Sequence, residues 1–333
     1  MQSQPPSNQT QTKPDGMEVK RRTLLRSLVT KLGSVSEQTR AEALNELRFI
    51  SKQDSDSRHI MAEAGAIPYL AETLYSSSHA AQENAAAALL NLSITCRESL
   101  MSTRGLLDAI AHALRHHSSS TSPATVQSTA ATLHSLLVNE SYRPIIGSKR
   151  DIIHSLIEIV KTRNSQARSI KDALKALFGI ALYPLNRQQI INLGGVQPLF
   201  SLIVNDGRIG IVEDATAVIA QIAGCEESSE EFKKSKGVSV LVDFLDMGTG
   251  WSAQVKENAV AALLNLVSYG RESVGKEVRE AGLKVADGVA HVAQNGSTKG
   301  KRKAVALLKV LLEGNVVRDS PFYSLLNESN LSF

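Results

Sequence analysis

Apolar residues in this chain recur at helical rather than strand spacing, and they do so in bursts. Between Glu18 and Leu32, Val19, Leu24, Leu25, Leu28, Val29 and Leu32 form one stripe, with the basic cluster Lys20 to Arg22 opposite. Gly33 ends this predicted helix, Ser36 is placed to cap the next, and TRAEALNELRFIS continues the pattern in alanine and leucine. The densest burst is ENAAAALLNL, Glu83 to Leu92, which returns as ENAVAALLNL at Glu257 to Leu266 with nine of ten positions identical. Small side chains at Ala85 to Ala88 let a buried helix approach its neighbours closely, and Leu89, Leu90 and Leu92 are the expected core residues.

The two bursts lie 174 residues apart, four units of about 43.5. A second marker gives the same period: a helix-like run breaks and a fresh apolar segment begins at Gly65, Gly105, Asp151, Gly195, Gly237 and Gly282, with gaps of 40, 46, 44, 42 and 45 residues. A period of about 40 to 47 residues built only from helices is the signature of armadillo or HEAT arrays. Each unit resolves into three helices. In the first, Ser57 to Ala64 is a short helix, Pro68 sits in the opening turn of a second, and the turn Ser76 to Ser78 leads into a long third. Pro184 is expected to close the third helix of unit three, and Cys225 to Glu231 to be a solvated helix start. Residues 18–56 form an incomplete cap, six units start near 57, 97, 141, 186, 229 and 273, and the array ends at 315. Residues 1–17, rich in Gln, Ser, Thr and Pro, and residues 316–333, which hold a candidate phosphorylation site at Ser320-Pro321, read as tails.

Composition narrows the function classes. With 42% apolar and 21% charged residues the chain can bury a large core, and stacked units escape the size limit of a single globule. A net charge of +4 does not by itself argue for nucleic acid. Basic clusters at Lys20 to Arg22, Lys233 to Lys236 and Lys299 to Lys303 keep that class open, while 4% aromatic content leaves few stacking platforms for single strands. Cys96 and Cys225 are too far apart for a metal knuckle and read as reduced, packed thiols. No membrane insertion is expected, since no apolar run reaches the span of a bilayer, and the predicted location is cytoplasmic, nuclear or both. The sequence has no phosphate loop, nucleophile elbow, HExxH or paired CxxC, so no catalytic residue, cofactor or small-molecule substrate is assigned. His112, His116 and His117 have helical spacing but no neighbouring ligand residues to make a metal site. Trp251 reads as a packing residue at a repeat edge.

The combination of a glycine followed by AIPYL and then ENAAAALLNLS resembles the armadillo repeat, with wording similar to the armadillo domains of plant U-box E3 ligases and their U-box-free relatives. The resemblance spans about Glu18 to Asn315 and implies an all-α, right-handed α-solenoid. It further implies a non-catalytic scaffold or adaptor that binds an extended protein segment in a concave groove, in plant signalling or ubiquitin-linked regulation. Two rival classes are a nucleic-acid-binding or nuclear-transport-type repeat protein, and a ubiquitin-ligase-associated subunit acting with a separate catalytic partner. A U-box needs several dozen residues of its own, and about 17 precede the first predicted helix, so ligase activity within this sequence is not expected.

In armadillo proteins an asparagine on each third helix binds the main chain of the partner, because an amide offers both donor and acceptor. The matching column here reads Phe49, Asn91, Ser135, Gly179, Gln221, Asn265 and Lys309. Asn91 and Asn265 match the family residue, and Gln221 and Ser135 are partial substitutes; bonding of each asparagine to a neighbouring turn is the alternative. The tryptophan column of the importin alpha branch falls on Asn45, Ala87, Ala131, Lys175, Ala217, Ala261 and Val305, none aromatic, which disfavours nuclear-signal carriage. Seven residues before the asparagines, on the same face, stand Glu42, Asn84, Ser128, Asp172, Asp214, Asn258 and Arg302. With Glu213, Lys171 and Lys175 nearby, the middle of the groove reads as mixed to acidic, suiting a basic or polar partner segment, unless this face is solvated and unused.

Overall fold

The computed structural model describes residues 16–115, 121–162, 165–269 and 271–313. His116, His117, Ser320 and Pro321 lie outside these residues, as do both expected tails apart from Gly16 and Met17, which already belong to the first helix. Among the described residues there are twenty α-helices, two 3-10 turns and no strand.

A pair of helices, α1 (Gly16–Leu32) and α2 (Glu37–Gln53), opens the array. Six units of three follow. Unit one comprises α3 (Ser55–Glu63), α4 (Ala66–Thr73) and α5 (His79–Thr95); unit two, α6 (Arg97–Ser102), α7 (Leu106–Arg115) and α8 (Pro123–Leu137). Unit three begins with a 3-10 turn (Glu140–Tyr142) running into α9 (Arg143–Gly147), then α10 (Arg150–Lys161) and α11 (Ala167–Ala181). Unit four holds α12 (Pro184–Asn192), α13 (Val196–Asn205) and α14 (Ile209–Ile222). Unit five holds α15 (Ser228–Lys234), α16 (Gly237–Leu245) and α17 (Ala253–Tyr269), and unit six α18 (Arg271–Glu280), α19 (Leu283–Asn295) and α20 (Thr298–Glu313). Every third helix packs on the third helix of the unit before it, from α2 through to α20, so the chain is an all-α, right-handed solenoid.

Serine hydroxyls start most of these third helices. Ser36, Ser78 and Ser122 accept from the backbone N–H three residues on, as do Ser252 and Ser297 at α17 and α20. Pro184 differs from expectation: α11 has already ended at Ala181, and the proline occupies the first turn of α12, where its missing N–H leaves no bond unmade. Leu89 and Leu92 are buried with Ala85, Ala86 and Ala88, whereas Leu90 is only half-buried. The helical period turns position 90 away from the seam that holds 85, 89 and 92. Trp251 packs edge-on against Phe244, with ring centroids 5.1 Å apart.

The glycines that mark the second helices have two different jobs. Gly65 and Gly105 take the left-handed conformation (φ 83° and 82°) that ends one helix and redirects the chain into the next. In unit five Lys236 takes that conformation instead (φ 52°), and Gly237 begins the helix. A Cβ on Gly237 would lie 2.6 Å from the Phe200 ring, so the glycine serves packing there and the turn falls to a lysine.

Candidate partner-binding face

The third helices bring the predicted columns together along one face and bond them to one another. Asn91 donates its Nδ2 to Ser51 Oγ on the preceding third helix (3.0 Å), and Asn265 donates to the Ala220 carbonyl (2.9 Å). Ser135 donates to the Ser93 carbonyl at 2.9 Å. At Gly179 the column has no side chain, because a Cβ there would stand 2.9 Å from Leu137 Cβ. Gln221 accepts from Arg187 Nη2 at 3.5 Å. Each asparagine thus spends one N–H on its neighbour. Both remain half-buried, and among the described residues neither Oδ1 receives a donor. An amide carbonyl and a second N–H are left on each, held in a fixed orientation. Lys309 is exposed on α20.

The second column is more deeply engaged. Asn84 Oδ1 accepts from Arg48 Nη1 (2.6 Å), while buried Asn258 donates to the Glu213 carbonyl and to Thr216 Oγ1 and accepts from Gln254 Nε2. Glu213 is a staple between units, since its Oε1 accepts from Ser252 Oγ at 2.7 Å, and Glu257 holds Ser297 in the same way one unit later.

Asp172 and Asp214 lie half-buried on α11 and α14, flanked by Lys171, Lys175 and His134. Burial raises the pKa of both carboxyls above the ordinary 3.8; Lys175 opposes this at Asp172, and Lys171 then Lys175 oppose it at Asp214. Burial, reinforced by Lys175, lowers His134 below 6.5. A carboxylate raised in this way costs stability when ionised, and the cost disappears as pH falls through the folded pKa towards 3.8. Asp214→Asn is therefore expected to raise the melting temperature at pH 7 by a small amount, on the order of 1 °C. The gain shrinks as the buffer is taken towards pH 4, and a loss at pH 7 that persists at low pH contradicts this assignment. His134 has the opposite sign: its penalty appears as pH falls below 6.5.

Sequence reading missed a row of arginines at the C-terminal ends of the third helices. Arg58 donates to the Ser51 carbonyl, Arg97 to Ser135, Arg143 to Leu137, and Arg187 to both Ala181 and Gly224. They satisfy carbonyls that a helix end leaves unpaired and sit favourably at the negative end of its dipole. Their spacings of 39, 46 and 44 residues are the unit period, so the signal was present in the sequence.

Two of the three candidate phosphate-binding clusters are partly neutralised. Arg21 pairs with Asp54 and Asp56, Arg22 with Glu18 and Glu63, Lys233 with Glu230 and Lys234 with Glu231. Both cysteines are free; burial and a bond to Glu227 push the Cys225 thiol up to about 11, which removes it as a nucleophile at neutral pH. Among the described residues no helix is long and apolar enough to cross a membrane.

Comparison with known proteins agrees with this fold. The family model of the plant U-box protein ARM repeat region matches residues 25–328. U-box domain-containing protein 17 of Arabidopsis thaliana is 30% identical over 308 residues, which cover 91% of this chain and 40% of that protein. U-box domain-containing protein 1 of Medicago truncatula is 33% identical over 286 residues, 85% of this chain and again 40% of the relative. The chain thus spans about two fifths of the length of these relatives. Among solved structures, an engineered protein aligns with a TM-score of 0.74 at 23% identity, over 87% of this chain and 69% of its own. A chain from a study of a phosphorylation switch between cadherin and beta-catenin aligns at 0.72 and 16% identity, over 89% and 56%. Those two likenesses speak to the fold. The match over residues 25–328, on a stack of three-helix units, establishes that the chain belongs to the family of plant U-box protein armadillo (ARM) repeat regions.

Proposed function

We propose that this chain is a non-catalytic adaptor that holds an extended protein segment along its third-helix face, in the ubiquitin-linked setting that the names of its relatives suggest. The observation that carries the reading is the state of Asn91 and Asn265. One N–H of each is tied to the preceding unit, which fixes the rotamer, and the Oδ1 carbonyl has no donor among the described residues. A segment laid across the units meets oriented acceptors and donors without an ordering cost on the protein's side. Peptide groups are satisfied pairwise in this way whatever the partner's side chains.

The test is selection of linear peptides from a random display library on the whole chain, repeated on the Asn91→Ala, Asn265→Ala double variant. Peptides are expected to enrich on the parent and to bind the variant at least tenfold more weakly. Removing the inter-unit bonds also costs stability, about 1 kcal/mol for each. The comparison is therefore made well below the variant's unfolding temperature. Equal binding by the variant would refute the assignment of these amides, and the absence of any enriched peptide would refute groove binding itself.

A further inference from the structure

The turn between α16 and α17 surrounds an ammonium group that the fold leaves poorly matched. Lys256, in the opening turn of α17, is only 5% exposed. Among the described residues its Nζ forms no ion pair, and its hydrogen-bond acceptor is a thioether, Met247 Sδ, at 3.4 Å. The carboxylate next to that methionine is engaged elsewhere: Asp246 accepts from the Gly248 N–H at 2.8 Å and pairs with Lys284 at 3.0 Å. A thioether sulfur is a weak acceptor, and a buried ammonium costs stability unless a strong one meets it.

Met247 itself is accessible. It opens the 3-10 turn Met247–Thr249 and is 46% exposed, against 1% for Met61 in α3. Among the described residues Met17 is the other exposed methionine. Hydrogen peroxide oxidises such a side chain by two electrons. A sulfur lone pair forms the S–O bond, the O–O bond breaks, and the departing hydroxide takes the proton from the oxygen that stays, giving methionine sulfoxide and water. The sulfoxide oxygen carries partial negative charge and accepts strongly. Three rotatable bonds let residue 247 turn that oxygen onto Lys256 Nζ while the backbone stays in place.

We propose that Met247 is a peroxide-sensitive modification site whose sulfoxide is held by the buried Lys256 ammonium and fastens the α16–α17 turn more firmly than the thioether does. Oxidation ordinarily sets a polar group where an apolar one packed, and so loosens a fold. At this turn it supplies the acceptor that the reduced chain lacks. The proposal does not depend on the groove reading.

The test uses the whole chain carrying Met17→Leu, treated with hydrogen peroxide and followed by mass spectrometry of its peptides. One added oxygen is expected on Met247 and none on Met61, and the oxidised chain should melt about 2 °C above the reduced one. In a Lys256→Leu background the same oxidation should leave the melting temperature unchanged or lower it. A second comparison needs no oxidant: Met247→Gln, which places an amide oxygen near Nζ, should melt above Met247→Leu when Lys256 is present and should lose that advantage in Lys256→Leu. Oxidation that lowers the melting temperature of the chain with Lys256 would overturn the proposal, as would a Met247→Gln chain no more stable than Met247→Leu, or a Met247 left unmodified while Met17 of the unsubstituted chain is oxidised.

Discussion

Replacing Phe232 by alanine is expected to cost about 3 to 5 kcal/mol, the largest loss from any single truncation considered for this chain. Among the described residues Phe232 is the largest of the fully buried side chains, and it meets Phe200 edge-on with ring centroids 5.2 Å apart. Gly237 lies against the tip of that Phe200 ring, so α13, α15 and α16 share one aromatic joint between units four and five. The neighbouring backbone is packed around the ring pair and collapses only partly into the void. Since each unit of a solenoid is stabilised mainly by its neighbours, the loss should also split the transition, with units five and six unfolding at lower urea than units one to four. Urea unfolding followed at Trp251, in unit five, and by far-ultraviolet circular dichroism for the whole array checks both parts. Coincident curves with a midpoint unchanged from the parent would contradict this account of the joint.

Gly288→Ala is the second large effect, and its sign runs against helix propensity. In the middle of α19 an alanine would ordinarily gain up to about 1 kcal/mol over glycine. Here a Cβ would meet the Leu245 Cβ at 2.6 Å and press still closer on the Leu245 carbonyl oxygen, at the end of α16. Backbone cannot step aside as a side-chain tip can. The net change should be a loss of about 1 to 3 kcal/mol, from strain at the contact between units five and six. Gly275→Ala in α18 is the matched control. The nearest atoms to its new Cβ belong to the Arg279 guanidinium, at 3.3 Å, the far end of a flexible side chain, so a gain is expected. Melting temperatures of the two variants should move in opposite directions; a gain in both would show that the α16–α19 approach has slack.

Much of the architecture was legible because repetition makes one observation many times. The near-copy of ENAAAALLNL and the spacing of the second-helix starts fixed the period, and the seam residues Leu89 and Leu92 followed from helical spacing. What was not legible depends on contacts between units. Nothing in the local sequence says that Lys236 takes the left-handed turn, because the cause is a phenylalanine more than thirty residues earlier that needs Gly237 beside it. Pro184 looks like a terminator when only the preceding helix is considered; its place at the start of α12 depends on the turn at Leu182 and Tyr183. The polar columns were placed on one face by spacing alone. That Asn91, Ser135 and Asn265 would each bond back one unit required the lateral register of adjacent helices, which periodicity does not contain. The arginine row at 58, 97, 143 and 187 was readable from its period and was passed over because its residues lie in short first helices that carry little hydrophobic signal.

The same register explains why the face suits recognition. Bonds between third helices fix the side chains that a partner would read, and the stack behind them, closed by residues such as Leu92 and Leu266, resists rearrangement. On the proposed reading, affinity comes from oriented amides, with little reorganisation on binding.

The measurement that tests this account most directly is site-specific photo-crosslinking in cell extract, with the reactive residue placed in turn at Ala87, Ala131 and Ala217 on the third-helix face and at exposed His154 and Gln197 on second helices. The account predicts that the three third-helix sites crosslink to a single linear stretch of one partner protein, at positions that advance in order with the units, and that the second-helix sites do not reach it. Crosslinks obtained from His154 or Gln197 alone, or from the third-helix sites to scattered points on a folded domain, would contradict it.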